Sequence, residues 1–205
     1  KRVLFLRQVD DFAIACADKT VAAQVIADIN SKMSIDVKEL GVINRYNGVD
    51  VEQRREYIKL HNQTYIDKLI SQHKWLQTDS TPIHKYPLPM NPDNKYEHNL
   101  EQTEPLTPQE KFLLEQQLQF TYRQAVGEII YAMITCRPDI SYAIIKLSQY
   151  STRPAKIHYE ALIDLYRYLK ATKTDGVCIF GENNQEVTYP KEIYQLSKQT
   201  IIIMR

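Results

Sequence analysis

Apolar residues change their spacing along this chain of 205 residues, and that change constrains the fold more than any other feature. Up to about residue 61 they come in short runs or alternate, as strand residues do. Val3 to Leu6 and Phe12 to Cys16 are two such runs with a polar and acidic middle, which predicts a β-hairpin with Asp10 and Asp11 at or beside its tip. Asp18 offers a helix N-cap, and Val21, Val25, Ile26, Ile29 and Met33 recur at helical spacing, so a helix is predicted from about residue 19 to 33. Val42 to Leu60 reads as a second hairpin, containing Tyr46-Asn47-Gly48 and a charged tip from Glu52 to Glu56.

Beyond residue 62 the period is mostly helical. Ile66, Leu69 and Ile70 mark one face of Gln63 to Trp75, and Tyr122, Ala125, Val126, Ile129, Ile130 and Met133 mark a later helix. Pro138 suits a first helical turn before Ile140, Ala143, Ile144 and Leu147. Ile157, Ala161, Leu162, Leu165 and Leu169 mark a further helix, and Gly176 to Phe180 one more strand. Gly127 inside a helical pattern costs about 1 kcal/mol relative to Ala, and close helix packing explains it as well as any function does. The class is therefore α+β: hairpins with a helix, followed by a helical region. Prolines 82, 87, 89, 92, 105 and 108 predict a long irregular connection over about 78–108. Asp93 to Glu115 carries six carboxylates against Lys95 and Lys111 and reads as a solvated face or linker. Ile201-Ile202-Ile203 is a sticky run unless something covers it.

Apolar content of 43% and charged content of 25% are ordinary for a globular chain and argue against wholesale disorder. The five glycines form neither G-x-G-x-x-G nor G-x-x-x-x-G-K, so a nucleotide-binding loop of those kinds is excluded. A net charge of +1 gives no global basic field. Cys16, Cys136 and Cys178 lack C-x-x-C spacing and read as buried or free thiols in a reducing compartment; with the five scattered histidines they offer no zinc site. No apolar run is long enough for a membrane-spanning helix. The first residues carry no signal-peptide pattern and start inside a strand, as expected for a piece of something longer.

Two features could carry chemistry. Asp10 and Asp11 either sit in an ordinary exposed turn or hold a cation. Between two apolar strands they would be fixed on a half-buried platform, which suits Mg²⁺ bound by one or two carboxylates plus substrate phosphates. Two metals so held can drive in-line phosphoryl transfer. Successive strand residues face opposite ways, so only one of the acids need face a metal unless the turn re-aims both. The second feature is a basic helical region with Lys146, Arg153, Lys156, Arg167, Lys170 and Lys173, interleaved with Tyr142, Tyr150, Tyr159, Tyr166 and Tyr168. Such residues can follow and stack on a nucleic acid, or form a solvated helix face with tyrosines half in the core. His158 reads as a hydrogen-bonded structural histidine.

The order of segments resembles the reverse transcriptase of copia-type LTR retrotransposons, from the middle of the palm onward. Phe5-Leu6-Arg7-Gln8-Val9-Asp10-Asp11-Phe12-Ala13-Ile14 is similar to the family's Y-V-D-D hairpin. Val37-Lys38-Glu39-Leu40-Gly41, Tyr46-Asn47-Gly48-Val49, Ile58 to Ile66 and Thr81-Pro82 resemble the segments that follow it. Tyr122 to Gly127, Arg137-Pro138-Asp139-Ile140, His158 and Tyr168-Leu169-Lys170-Ala171-Thr172-Lys173 resemble later blocks, so the likeness covers about residues 3–180. It implies an RNA-directed DNA polymerase part using Mg²⁺ or Mn²⁺, with a primer–template of RNA and DNA and a dNTP as partners in the complete enzyme.

By that resemblance Asp10 and Asp11 are catalytic, metal-binding acids, and Gln8 and Val9 lie near nucleotide and primer. Residues 1–61 correspond to a partial palm with a primer-grip hairpin, 62–152 to a helical thumb-like region with its linker at 78–108, and 153–180 to a connection. Residues 181–205 are a divergent tail. The location implied is intracellular, in a cytoplasmic retroelement particle. The family's fingers, first palm acid and RNase H acids have no counterpart here, Gln8 replaces Tyr and Ala171 replaces Gly. The expectation is a polymerase fragment that is inactive alone; the alternative is a non-enzymatic nucleic-acid-binding protein or decayed transposon relic.

Overall fold

The computed structural model describes residues 3–9, 11–34, 37–54, 57–79 and 88–180, and the backbone of 200–204. It is α+β, and its chain divides into two units: 1–61 with 176–205, and 62–175. Helical residues 156–171, expected in a connection, belong to the second unit.

In the first unit β1 (Val3–Gln8) and β2 (Asp11–Cys16) pair antiparallel, from Val3 opposite Cys16 to Gln8 opposite Asp11. α1 (Lys19–Asn30) follows, with Asp18 accepting from the Thr20 N–H at 3.0 Å and the Thr20 hydroxyl at 2.7 Å. It packs Ala22, Val25, Ile26 and Ile29 against Ile14, Cys16 and Val37. The helix stops at Asn30, whose side-chain oxygen accepts from the Val37 N–H at 2.7 Å, so Met33 lies beyond its end and is exposed. β3 (Glu39–Val42) does not pair with β2. Instead β8 (Thr200–Met204) lies between them, giving the order β1-β2-β8-β3. The isoleucine run thus has a backbone role, as a strand paired on both sides.

The expected second hairpin is a meander. β4 (Arg45–Tyr46) turns into β5 (Val49–Gln53) through Asn47 at φ 49° and Gly48 at φ 81°. Two left-handed residues make the tight turn that matches strand twist, and Asn-Gly is the pair that adopts it most easily. β5 pairs with β6 (Tyr57–His61), and β6 with β7 (Gly176–Phe180), whose Gly176 stands opposite His61. All of residues 62–175 is therefore inserted between two neighbouring strands.

The second unit is helical: α2 (Gln63–Gln72), α3 (Lys74–Thr78), α4 (Asn94–Gln102), α5 (Pro108–Leu118), α6 (Tyr122–Thr135), α7 (Ser141–Ser148) and α8 (Lys156–Ala171). Here the reading of 78–108 as irregular needs correction, because α4 lies within it. Asp93 caps α4 through the Lys95 N–H at 2.8 Å, and Leu100 is fully buried. The acidic stretch is not a linker either. Thr107 and Glu110 form a reciprocal capping box on α5, and Glu115 accepts from the Tyr122 N–H at 3.0 Å and the Tyr159 hydroxyl at 2.7 Å. Close packing does not explain Gly127: it is exposed on α6, and a methyl there would meet nothing within 4 Å.

Buried tyrosines in this unit repeatedly donate to carboxylates. Tyr159 reaches Glu115, Tyr166 reaches Glu128 and Tyr168 reaches Asp139. Glu128 also pairs with His73 Nε2 at 2.8 Å and Gln124 at 2.9 Å. Burial raises the Glu128 carboxyl, but the bonds from His73, Tyr166 and Gln124 outweigh it and hold the group below its ordinary range. Burial likewise pushes the Tyr65 hydroxyl up to about 12.

His158 is buried and structural. Its Nδ1 accepts from the Ala155 N–H at 2.8 Å, its Nε2 donates to the Leu100 carbonyl at 2.8 Å, and its ring stacks on Tyr150 at 3.8 Å. Burial lowers its pKa from 6.5, opposed by the Leu100 carbonyl. The unfolded chain therefore takes up a proton before the folded one does, so this contribution to stability is complete above 6.5 and is lost as pH falls. Urea melts should show midpoints dropping between about pH 7 and about pH 5, and His158→Gln should flatten the drop. An unchanged slope in the variant would place the titration elsewhere.

Candidate functional site

The acidic hairpin is the site the sequence singled out, and its geometry begins at the turn. Pairing of Gln8 with Asp11 leaves two residues between the strands, the first of them Val9. Such a loop needs a positive φ at its first position, and Val9 has φ 52°. A β-branched side chain rarely adopts that region, at a cost of roughly 1–3 kcal/mol. Val9 is 72% exposed, so side-chain burial does not offset the strain. What holds it is the ladder behind it and Arg7, whose Nε donates to the Val9 carbonyl at 3.1 Å. The Arg7 guanidinium also lies 5.9 Å from the Phe12 ring centroid, and Phe12 sits 5.5 Å from Phe5.

Of the residues named from the sequence, Gln8 and Val9 are exposed at this tip and Asp11 is half-buried at the start of β2. Asp10 lies outside the described residues. Among the described residues no three His, Cys, Asp or Glu side chains come together as a metal site. The acids described here do not by themselves fit a Mg²⁺ ion, and no chemical step through one follows from them.

Tyr46, which the sequence places in the second hairpin, also belongs to the surroundings of the acidic strand pair. Its hydroxyl is buried without a hydrogen-bond partner, and its pKa is raised first by burial and then by the Asp11 charge. The ring lines an apolar cavity of about 650 Å³ with Leu4, Leu6, Ala13, Val51 and Ile58, directly behind the acidic strand pair. Only the Asn-Gly turn beside Tyr46 could have flagged it.

The basic residues lie in the helical unit and are mostly engaged with acids or carbonyls. Lys146 Nζ is 2.6 Å from Glu101 and 3.0 Å from Glu97. Arg167 bonds Asp79 at 2.6 Å and Asp164 at 2.9 Å, and Lys173 bonds Asp67 at 2.8 Å. Lys170 donates to the carbonyls of Leu76 at 2.6 Å and Asp79 at 2.9 Å. Lys156 lies 3.8 Å from Glu160, both well exposed, and Arg153 is exposed. Tyr159, Tyr166 and Tyr168 are buried, whereas Tyr142 is exposed.

Two blocks of the sequence meet here. Arg137 is fully buried, grips Asp139 through Nε at 2.9 Å and Nη2 at 2.7 Å, and donates to the Thr172 carbonyl at 2.9 Å and hydroxyl at 2.7 Å. Its guanidinium lies 5.5 Å from the Tyr168 ring, and Tyr168 donates to Asp139 at 2.9 Å. The block around Arg137 and the one at the end of α8 are two halves of one structural staple.

No family model matches the chain, and no solved structure does. The chain is 29% identical over 183 residues to the Retrovirus-related Pol polyprotein from transposon TNT 1-94 of Nicotiana tabacum, covering 88% of this chain and 13% of that protein. It is 27% identical over 179 residues to the Retrovirus-related Pol polyprotein from transposon RE1 of Arabidopsis thaliana, covering 85% of this chain and 11% of that protein. These homologues are retrotransposon Pol polyproteins. A putative transposon Ty5-1 protein of Saccharomyces cerevisiae is 27% identical over 171 residues, or 81% of this chain and 48% of that protein. The chain thus spans a small part of the Pol polyproteins it matches. Among the described residues no helix is long and apolar enough to cross a membrane.

Proposed function

We propose that this chain is the part of a retrotransposon Pol polyprotein that carries the second half of a reverse transcriptase active site. The observation that carries the reading is the strained two-residue turn at Val9, which fixes Asp11 at the rim of a sheet while leaving Gln8 and Val9 exposed. Strain held by surrounding structure is characteristic of functional tips. Matches to Pol polyproteins over 88% and 85% of the chain support it. In this reading Asp10 and Asp11 are metal-binding acids of a palm, Gln8 and Val9 face nucleotide and primer, and β4–β6 form the primer-grip region. The helical unit is the thumb, and RNA–DNA primer–template and dNTP are the substrates of the complete enzyme. Two-metal chemistry needs more ligands than one acidic pair supplies, and in this reading the complete enzyme brings the others from outside these residues. The engaged state of Lys146, Arg167, Lys170 and Lys173 gives a separate, non-enzymatic nucleic-acid-binding role no added support.

The test is RNA-templated primer extension with Mg²⁺. The chain alone should give none, whereas residues 3–180 grafted in place of the matching part of the tobacco Pol polyprotein should extend. Asp11→Asn in that chimera should reduce extension by at least about 10³-fold. An active chimera indifferent to Asp11→Asn would sink the assignment.

A further inference from the structure

β2 and β3 are joined by α1 and are each antiparallel to β8, so they run parallel to one another with one strand position between them. This is a split β-α-β arrangement, which an antiparallel strand from elsewhere must complete. At about 4.8 Å per strand the two edges stand nearly 10 Å apart and cannot pair directly. β2 is apolar on both sides: Ile14 and Cys16 pack in the cluster with α1, while Ala13 and Ala15 line the cavity. A strand buried in this way needs ladder partners at both edges. β1 supplies one, and Thr200 to Met204 supply the other, pairing residue for residue with Cys16 back to Phe12.

Two features set β8 apart from the hairpin strands β1 and β2 of its sheet. No turn connects it to either neighbour, because it follows β7 of the other sheet and residues 181–199. Its hold on β3 is also irregular, with a register shift between Glu39 and Gly41 and Gly41 at φ 87°. A strand held by main-chain pairing rather than by a turn is recognised as any extended segment would be.

We infer that the space between β2 and β3 is a strand-acceptor slot, and that Thr200–Met204 fills it as an exchangeable strand. The partner it fits is an extended, uncharged, β-forming segment of about five residues, antiparallel to both edges. A tethered strand competes at an effective concentration of about millimolar, so the intact chain resists a competitor until its own strand is weakened.

The probe is a fluorescent peptide of residues 197–205, titrated against the full chain. Ile202 pairs with both Ile14 and Val42, so Ile202→Pro removes a central N–H and breaks the tethered strand. That variant should bind the peptide at least about 30-fold more tightly than the unchanged chain. A peptide carrying the same proline should not bind. Equal binding by both chains, or capture of the proline peptide, would overturn the proposal. A second measurement does not depend on how the proline variant folds. Ala13 and Ile203 are Cα partners, so Ala13→Cys with Ile203→Cys, in a Cys178→Ser background, should crosslink on oxidation. Its peptide binding should then fall at least about tenfold and return on reduction. Failure to crosslink, or binding indifferent to the lock, would also overturn the slot.

Discussion

Arg137→Ala is expected to destabilise the helical unit by about 3 kcal/mol, and Asp139→Ala by more, about 4 kcal/mol. The order follows from which charge is stranded. Without Arg137, the Asp139 carboxylate remains, and its side chain is 38% exposed and open to water. Without Asp139, a guanidinium with 0% exposure keeps the Thr172 oxygens and the Tyr168 ring but loses its hydrogen-bonded counter-ion, and a buried charge so stranded is costly. Arg137→Lys keeps the charge but cannot span Asp139 and Thr172 together, since an ammonium lacks the fork; about 2 kcal/mol is expected. Urea melts followed by helical circular dichroism measure all three. Losses within about 0.5 kcal/mol of the unchanged chain, the range of an ordinary surface substitution, would mean that the staple contributes little.

Gly176→Ala should also be severe, at about 3 kcal/mol, but in the other unit. A methyl on Gly176 would lie 2.1 Å from the Leu60 carbonyl oxygen and 2.8 Å from His61 Cβ. Both sit on the paired strand, and the nearest is backbone, so no rotamer change relieves the clash. The expected signature is local: amide exchange of Tyr57–His61 and Gly176–Phe180 accelerates while the amides of α6 and α8 keep their protection. Unchanged exchange along β6 would show that the strands can separate at this point without loss.

What could be read from the sequence was what local chemistry decides. Alternation and apolar runs locate β1, β2, β6 and β7, and helical spacing locates α6 and α8; β2, α6 and α8 bury most of the apolar positions that mark them, whereas β7 and all but the first residue of β1 are exposed. The stretch from Asp93 to Glu115 is largely the exposed face that its charge suggests, but it is folded into α4 and α5 and is no linker. Glu97, Glu101 and Glu115 answer Tyr142, Lys146 and Tyr159, partners 44 or 45 residues away that no window of sequence displays. Asn47-Gly48 turned an expected hairpin into a meander, a left-handed pair that apolar alternation does not register. At the site, the acids were legible and the strain was not. Nothing about valine announces that it will occupy φ 52°; only the register between Gln8 and Asp11 imposes it. The neighbours of β8 were invisible because strand pairing across most of the chain leaves no local trace.

Because His61 and Gly176 face each other in one ladder, the chain leaves the sheet and returns to it at a single point. A genome could therefore lose, gain or exchange residues 62–175 in one recombination event and still specify β6 beside β7. Such a layout lets the helical cassette and the stranded frame diverge at different rates, with Gly176 as the residue that both histories must preserve.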